Sequence, residues 1–220
     1  MSLRNSSLFS LGAFLLLATS AMAAEEFAKG MAVARELVAH EGHKFVFTVT
    51  PPPDRGVDPR VFDMFEVEDR AEKGGSVFGM PKKEKAPELD DIEALDLSGY
   101  RIQIEDVGAL AATSCSLRVG LVKYKKVKLN GDAYVAVVVT GATAMFVSAY
   151  PTKGDVDAGI GRGPEGTLCS VSTKGAGQFD FAKCSESTCN AAGELLTGVI
   201  VNALSSQAEY VGAIAVTFAQ

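Results

Sequence analysis

The sequence has no tryptophan and only two histidines, and its acidic residues outnumber its basic ones by 27 to 21. Each shortage removes a class of function. An outer-membrane barrel needs at least eight strands of about ten residues with aromatic girdles at both interfaces. About six strands are readable here, helical patterns intervene, and the best girdle residue is missing. Nucleic acid and anionic lipid are bound largely through Lys and Arg neutralising phosphates, which an acidic chain of net charge −6 does not favour. A Ser-His-Asp hydrolase would have to recruit His40 or His43, and no Gly-x-Ser-x-Gly elbow accompanies them. Paired Cys-x2-Cys spacing is also lacking, which removes the usual structural zinc site.

What is present begins with an export signal. Arg4 precedes a stretch, residues 8–18, that is apolar apart from Ser10 and Gly12, and Ala21-Met22-Ala23 follows with small residues at the two positions a signal peptidase reads. This predicts a cleavable segment over residues 1–23, with the cut before Ala24. The apolar stretch is shorter than the ~20 residues that span a bilayer. Residues 24–220 are expected to form one exported domain, periplasmic or extracellular. Four cysteines, Cys115, Cys169, Cys184 and Cys189, all lie in that part, and an even set in an oxidising compartment predicts two disulfides. Three pairings are open, and thiol catalysis is disfavoured.

Along the chain, Phe27, Met31, Ala34 and Val38 recur at helical spacing, predicting an amphipathic helix over residues 24–39 capped by Gly42. Residues 45–50, rich in aromatic and β-branched side chains and stopped by three prolines, read as a strand. A short helix is expected within 57–71, and residues 74–98, polar and flanked by prolines, read as an exposed, mobile loop. From Tyr100 the pattern alternates with period two, as in a strand with one wet face. Asn130-Gly131 suggests a two-residue hairpin pairing Lys126 with Val135 and Tyr124 with Val137. The lysines of 123–128 then mark an edge strand, with a basic binding stripe as the rival reading.

The uncharged run over 133–150 is long enough for a membrane span, but its β-branched residues and Gly141 favour two successive buried strands. Glycine-rich residues 151–183 read mostly as loop, with a short strand near 167–171. Leu195, Val199, Ile200 and Ala203 predict a second helix over 190–205, and residues 210–219 a final strand.

Two constellations carry candidate chemistry. His40-Glu41-Gly42-His43 places two histidines three apart, where a metalloprotease helix needs four, so His40 and His43 are weak metal candidates beside the plainer role of complementing a helix dipole. Asp155-Val156-Asp157-Ala158-Gly159 resembles the opening of a calcium loop, but the twelfth position is Gly166 and Glu165 falls one residue early. Asp155 and Asp157 are candidate ligands against the alternative of a solvated turn. Acidic residues elsewhere are too many to single out a glycosidase pair. No cofactor is implied.

These readings together predict an α+β domain: a largely antiparallel sheet of about five or six strands, disulfide-stapled and covered by an N-terminal and a C-terminal helix. The expected function is a non-enzymatic binding or assembly module, with a protein or small-molecule partner. Two alternatives stand beside it: a secreted hydrolase using carboxylates or a metal near His40 and His43, and a homo-oligomeric extracellular subunit that associates through the apolar strands of 133–150 and the last strand.

Overall fold

A computed structural model describes residues 32–38, 44–69, 93–107, 117–122, 124–185 and 194–219. Thirteen strands are found among them: β1 Val33–Val38, β2 Lys44–Thr50, β3 Glu66–Asp69, β4 Leu95–Asp96, β5 Arg101–Asp106, β6 Leu117–Val122, β7 Tyr124–Leu129, β8 Ala133–Lys153, β9 Asp157–Arg162, β10 Thr167–Ser172, β11 Asp180–Ser185, β12 Glu194–Asn202 and β13 Ala208–Ala219. The one helical element among the described residues is a 3-10 turn, Pro59–Met64, capped by the Asp58 carboxylate accepting from the Arg60 N–H.

The strands make a two-layered sandwich joined through β8. The N-terminal half of β8 lies between β5 and β12 in a first sheet ordered β1-β2-β5-β8-β12-β9-β10. Its C-terminal half lies between β11 and β13 in a second sheet, where β13 pairs on its other edge with β6 and β7, which pair in turn with β3 and β4. Among the described residues only β5–β8 and β4–β7 are parallel. The switch between sheets falls at Gly141, whose φ of +83° is open to glycine and strained for other residues. The expected break near Gly141 is therefore a bend in one strand of 21 residues.

Inward side chains of the two layers interlock. Phe45 and Phe47 of β2, Ile102 and Ile104 of β5 and Val135, Val137 and Val139 of β8 face Met145, Val147, Tyr210, Ile214, Val216 and Phe218 of the second sheet. The rings of Phe45 and Phe218 meet across the layers at 4.9 Å between centroids. One end is closed by Asn202, fully buried. Its Nδ2 donates to the carbonyls of Leu129, Asn130 and Ser206, and its Oδ1 accepts from the Leu204 N–H.

A side cluster fastens the chain before the 3-10 turn. Arg55 pairs with Asp96 at 2.7 Å and lies over the Tyr100 ring, and the Tyr100 hydroxyl donates to the Gly56 carbonyl. Burial on its own would raise the Asp96 carboxyl. Hydrogen bonds from the Ser98 hydroxyl and N–H, together with the Arg55 guanidinium, outweigh it and hold the group below the usual carboxylate range.

Four sequence expectations are corrected. The α+β class gives way to a β sandwich. Residues 33–38 of the expected N-terminal helix are strand β1, its remainder lying outside the described residues, and residues 194–202 of the expected C-terminal helix are β12. In β12 both faces are apolar, with Leu196 and Ile200 inward and Leu195, Thr197 and Val199 outward, so an i, i+4 match to a helix arises by coincidence. The hairpin at Asn130-Gly131 is absent: β7 pairs with β13 and β8 with other strands, so this turn carries the chain from the second sheet to the first. Gly131 is needed there because a Cβ would sit 2.1 Å from the Ser205 carbonyl oxygen. Finally, β9 and β11 add strands within the stretch read mostly as loop. Most of the expected mobile segment falls outside the described residues, although Leu95–Asp96 is strand β4.

Two outcomes follow from the packing. Asn202→Leu strands buried carbonyls and will cost about 1–3 kcal/mol of stability in urea unfolding. Asp96→Asn will cost about 1–3 kcal/mol at neutral pH. Because the folded carboxyl titrates below its unfolded value, its contribution is complete above about pH 4 and lost as pH falls further. The wild-type advantage over Asp96→Asn in unfolding curves will accordingly shrink in acid.

Candidate functional site

The outer face of the first sheet, which alternation would make polar, carries an apolar floor. On β8 the outward residues Ala136 and Val138 are only 9% and 8% exposed. Thr197 and Val199 of β12 and the bare backbone of Gly159 and Gly161 on β9 continue the floor. One wall is the β9–β10 turn, Gly163-Pro164-Glu165-Gly166, with Leu168; Arg101 of β5 stands opposite. The cleft, open to solvent along its mouth, measures about 480 Å³. This falls within the ~300–1,000 Å³ of small-molecule sites.

Glycine shapes this wall for steric reasons. Gly163 and Gly166 both hold positive φ, and the Gly163 N–H donates to the Leu195 carbonyl, tying the turn to β12. A Cβ on Gly161 would press to 3.1 Å against the Gly166 carbonyl oxygen, whereas one on Gly159 would meet nothing nearer than the Ser170 oxygen at 3.8 Å. Among the described residues no lining residue is aromatic, and the ionisable ones are Arg101 and Glu165. Leu168 is 66% exposed beside the cleft.

Beyond β10 the two sheets meet at an edge. A β-bulge between Leu168 and Ser170 frees Cys169 from the ladder, and Cys169 forms a disulfide with Cys184 of β11. Side chains complete the seam: the Ser170 hydroxyl accepts from the Lys183 N–H, and the Ser172 hydroxyl donates to Asp180 at 2.7 Å. At the other end of β11, Asp155, Asp157 and Asp180 each place a carboxylate oxygen within 4.8 Å of the others. Full charges at that spacing repel by a few kcal/mol per pair at an effective dielectric of ~20. Burial first, then the charges of Asp155 and Asp180, raises the Asp157 carboxyl above its ordinary range.

The residues singled out in the sequence are thus unevenly placed. Asp155 and Asp157 do come together, and Asp180, which no spacing rule marked, joins them from a distant strand. The twelve-residue calcium loop is replaced by β9 and its turn. Cys169 and Cys184 are bonded, while Cys115, Cys189, His40 and His43 lie outside the described residues. Of the lysine stripe, Lys126 and Lys128 are half-buried on β7, which pairs with β13 on one edge and the two-residue β4 on the other. The apolar strands proposed as polymer-pairing surfaces have both edges occupied inside the molecule. No helix among the described residues is long and apolar enough to cross a membrane.

No protein-family model matches the chain, and none of the curated proteins does. Among solved structures, similarity is found to the insecticidal delta-endotoxin Cry8Ea1 of Bacillus thuringiensis, at 16% identity over 42% of this chain and 19% of that one, with a TM-score of 0.26. A family 6 carbohydrate-binding module matches at 12% identity over 50% of this chain and 88% of its own, with a TM-score of 0.25. A glycoside hydrolase family 43 arabinoxylan arabinofuranohydrolase from Bacillus subtilis matches at 9% identity over 86% and 41%, with a TM-score of 0.28. Superpositions this loose carry neither fold nor function across.

The seam itself yields a measurable outcome. The Cys169–Cys184 bond closes a separation of 15 residues. Replacing both cysteines by alanine will lower stability by about 3 kcal/mol in urea unfolding, through the entropy returned to the unfolded chain.

Proposed function

We propose that this chain is an exported, non-enzymatic binding module of the periplasm or cell surface whose ligand lies in the cleft on the outer face of the first sheet. The observation that carries the reading is the floor of Ala136, Val138, Thr197 and Val199: an apolar surface kept open on the side of a sheet that normally faces water. Small side chains and bare glycine backbone give this floor depth without a ring to stack on. Recognition therefore rests on shape and apolar contact, with Arg101 and Glu165 left to orient a ligand's polar groups. General acid–base catalysis would ask for positioned proton-transfer partners in the same space, and the two ionisable lining residues belong to opposite walls. The ligand class is a small molecule or peptide segment with an apolar face.

Export is supported by the charge, apolar and small-residue pattern of residues 1–23, and by the Cys169–Cys184 disulfide, which persists in an oxidising compartment.

Gly159 provides the test, because its added Cβ makes only ordinary contact and a larger side chain there projects into the cleft. The apolar fluorophore 1-anilinonaphthalene-8-sulfonate will bind the wild type saturably. Gly159→Phe will weaken it by at least about tenfold, roughly 1.4 kcal/mol, while leaving the melting temperature nearly unchanged. Equal binding by both proteins would remove the cleft from consideration.

A further inference from the structure

Asp155 lies in the connection after β8, Asp157 opens β9 and Asp180 opens β11, so three carboxylates from separate places in the chain converge at the seam between the sheets. Asp180 is completely buried. Its Oδ1 accepts from the Ser172 hydroxyl at 2.7 Å and the Lys174 N–H at 2.9 Å, which aims and fixes the group. Its Oδ2 is buried without a hydrogen-bond partner, as is Oδ1 of Asp155. Among the described residues no lysine or arginine forms an ion pair with any of the three, and the nearby Lys174 ammonium donates to the Phe179 carbonyl. A wholly buried carboxylate within a group of like charges, with one of its oxygens lacking any donor, is a position that a cation completes.

We propose that Asp155, Asp157 and Asp180 bind a divalent, oxygen-seeking cation, calcium, at the edge of the sandwich. The donors are all carboxylate oxygens with no histidine or cysteine among them, which selects a hard cation over zinc. Calcium at about 2.3–2.6 Å from each ligand spans oxygens up to nearly 5 Å apart, and the three carboxylate oxygens lie within 4.8 Å of one another. Magnesium demands near-ideal octahedral geometry and keeps several waters, which a fully buried carboxylate does not favour. Bound there, the ion ties the β8–β9 connection and β9 to β11, while the Cys169–Cys184 disulfide ties the other end of β11 to β10. The edge strand is thereby fastened to the first sheet at both ends, independently of what the cleft holds.

Titration of the cation-free, full-length chain with calcium chloride, followed by calorimetry and by thermal unfolding, tests the site. One ion will bind per chain, with a dissociation constant at or below about 10⁻³ M as in extracellular calcium modules, and will raise the melting temperature. Magnesium at the same concentration will raise it less. Asp155→Asn, a half-buried position whose loss relieves repulsion, will fold without calcium as well as the wild type does and will lose the calcium-induced shift. Asp180→Asn will lose it too. A wild type that shows neither heat nor shift with calcium overturns the proposal, as does an Asp155→Asn protein that keeps the full shift. A larger shift with magnesium overturns the assignment to calcium.

Discussion

Everything in this sandwich depends on β8 taking part in two sheets. A strand of 21 residues with hydrogen-bonded neighbours on both edges along both halves cannot be displaced without opening both layers. Its bend at Gly141 sets the angle at which the layers face each other, and the uncharged composition of the run follows from that role. Val135, Val137 and Val139 fill the core from one layer, and Met145 and Val147 fill it from the other. The length and apolarity that invited comparison with a membrane span are those of a strand buried twice.

The same strand places the cleft. Because Ala136 and Val138 alternate with the core valines, their methyl groups point away from the core, and the neighbouring strands supply Thr197, Val199 and two glycines beside them. Small residues suit a central position flanked closely on both sides, and here they also leave a hollow. The wall of that hollow is the β9–β10 turn, and β10 is held to β11 by the disulfide and by serine side chains instead of by a backbone ladder. The disulfide and the carboxylate group thus lie along the seam where the two sheets meet and the ladder itself provides no closure, with the wall of the cleft beside it on β10.

Legibility along the chain followed the degree of burial on each face. Residues 101–105 alternate clearly, because one face is buried and the other is wet, whereas residues 45–50 show themselves as a strand through their aromatic and β-branched composition. In β12 both faces are apolar, the period of two disappears, and a helix could be fitted to the residue. Asn130-Gly131 shows a different limit. The dipeptide marks a turn correctly, yet whether the strands beside it pair depends on what else competes for their edges, and here β13 captures one while β5 and β12 capture the other. Among the carboxylates, the Asp-x-Asp pair is legible in the sequence, but Asp180 carries no local signal, since it meets them only because β11 lies beside β9.

By itself the sequence determined the strands over 45–50, 101–105 and 210–219, an interruption of the apolar run near Gly141, the acidic balance and the even set of cysteines, while β1 and β12 carry a helical period and β9 and β11 lie in a stretch with the composition of loop. These follow from local composition and from spacing. Tertiary structure decided which layer each strand joined, which cysteine met Cys184, and which third carboxylate met Asp155 and Asp157. Hydrogen-bonding edges are shared among many competing strands, and only the packed arrangement of all of them settles which pairs form.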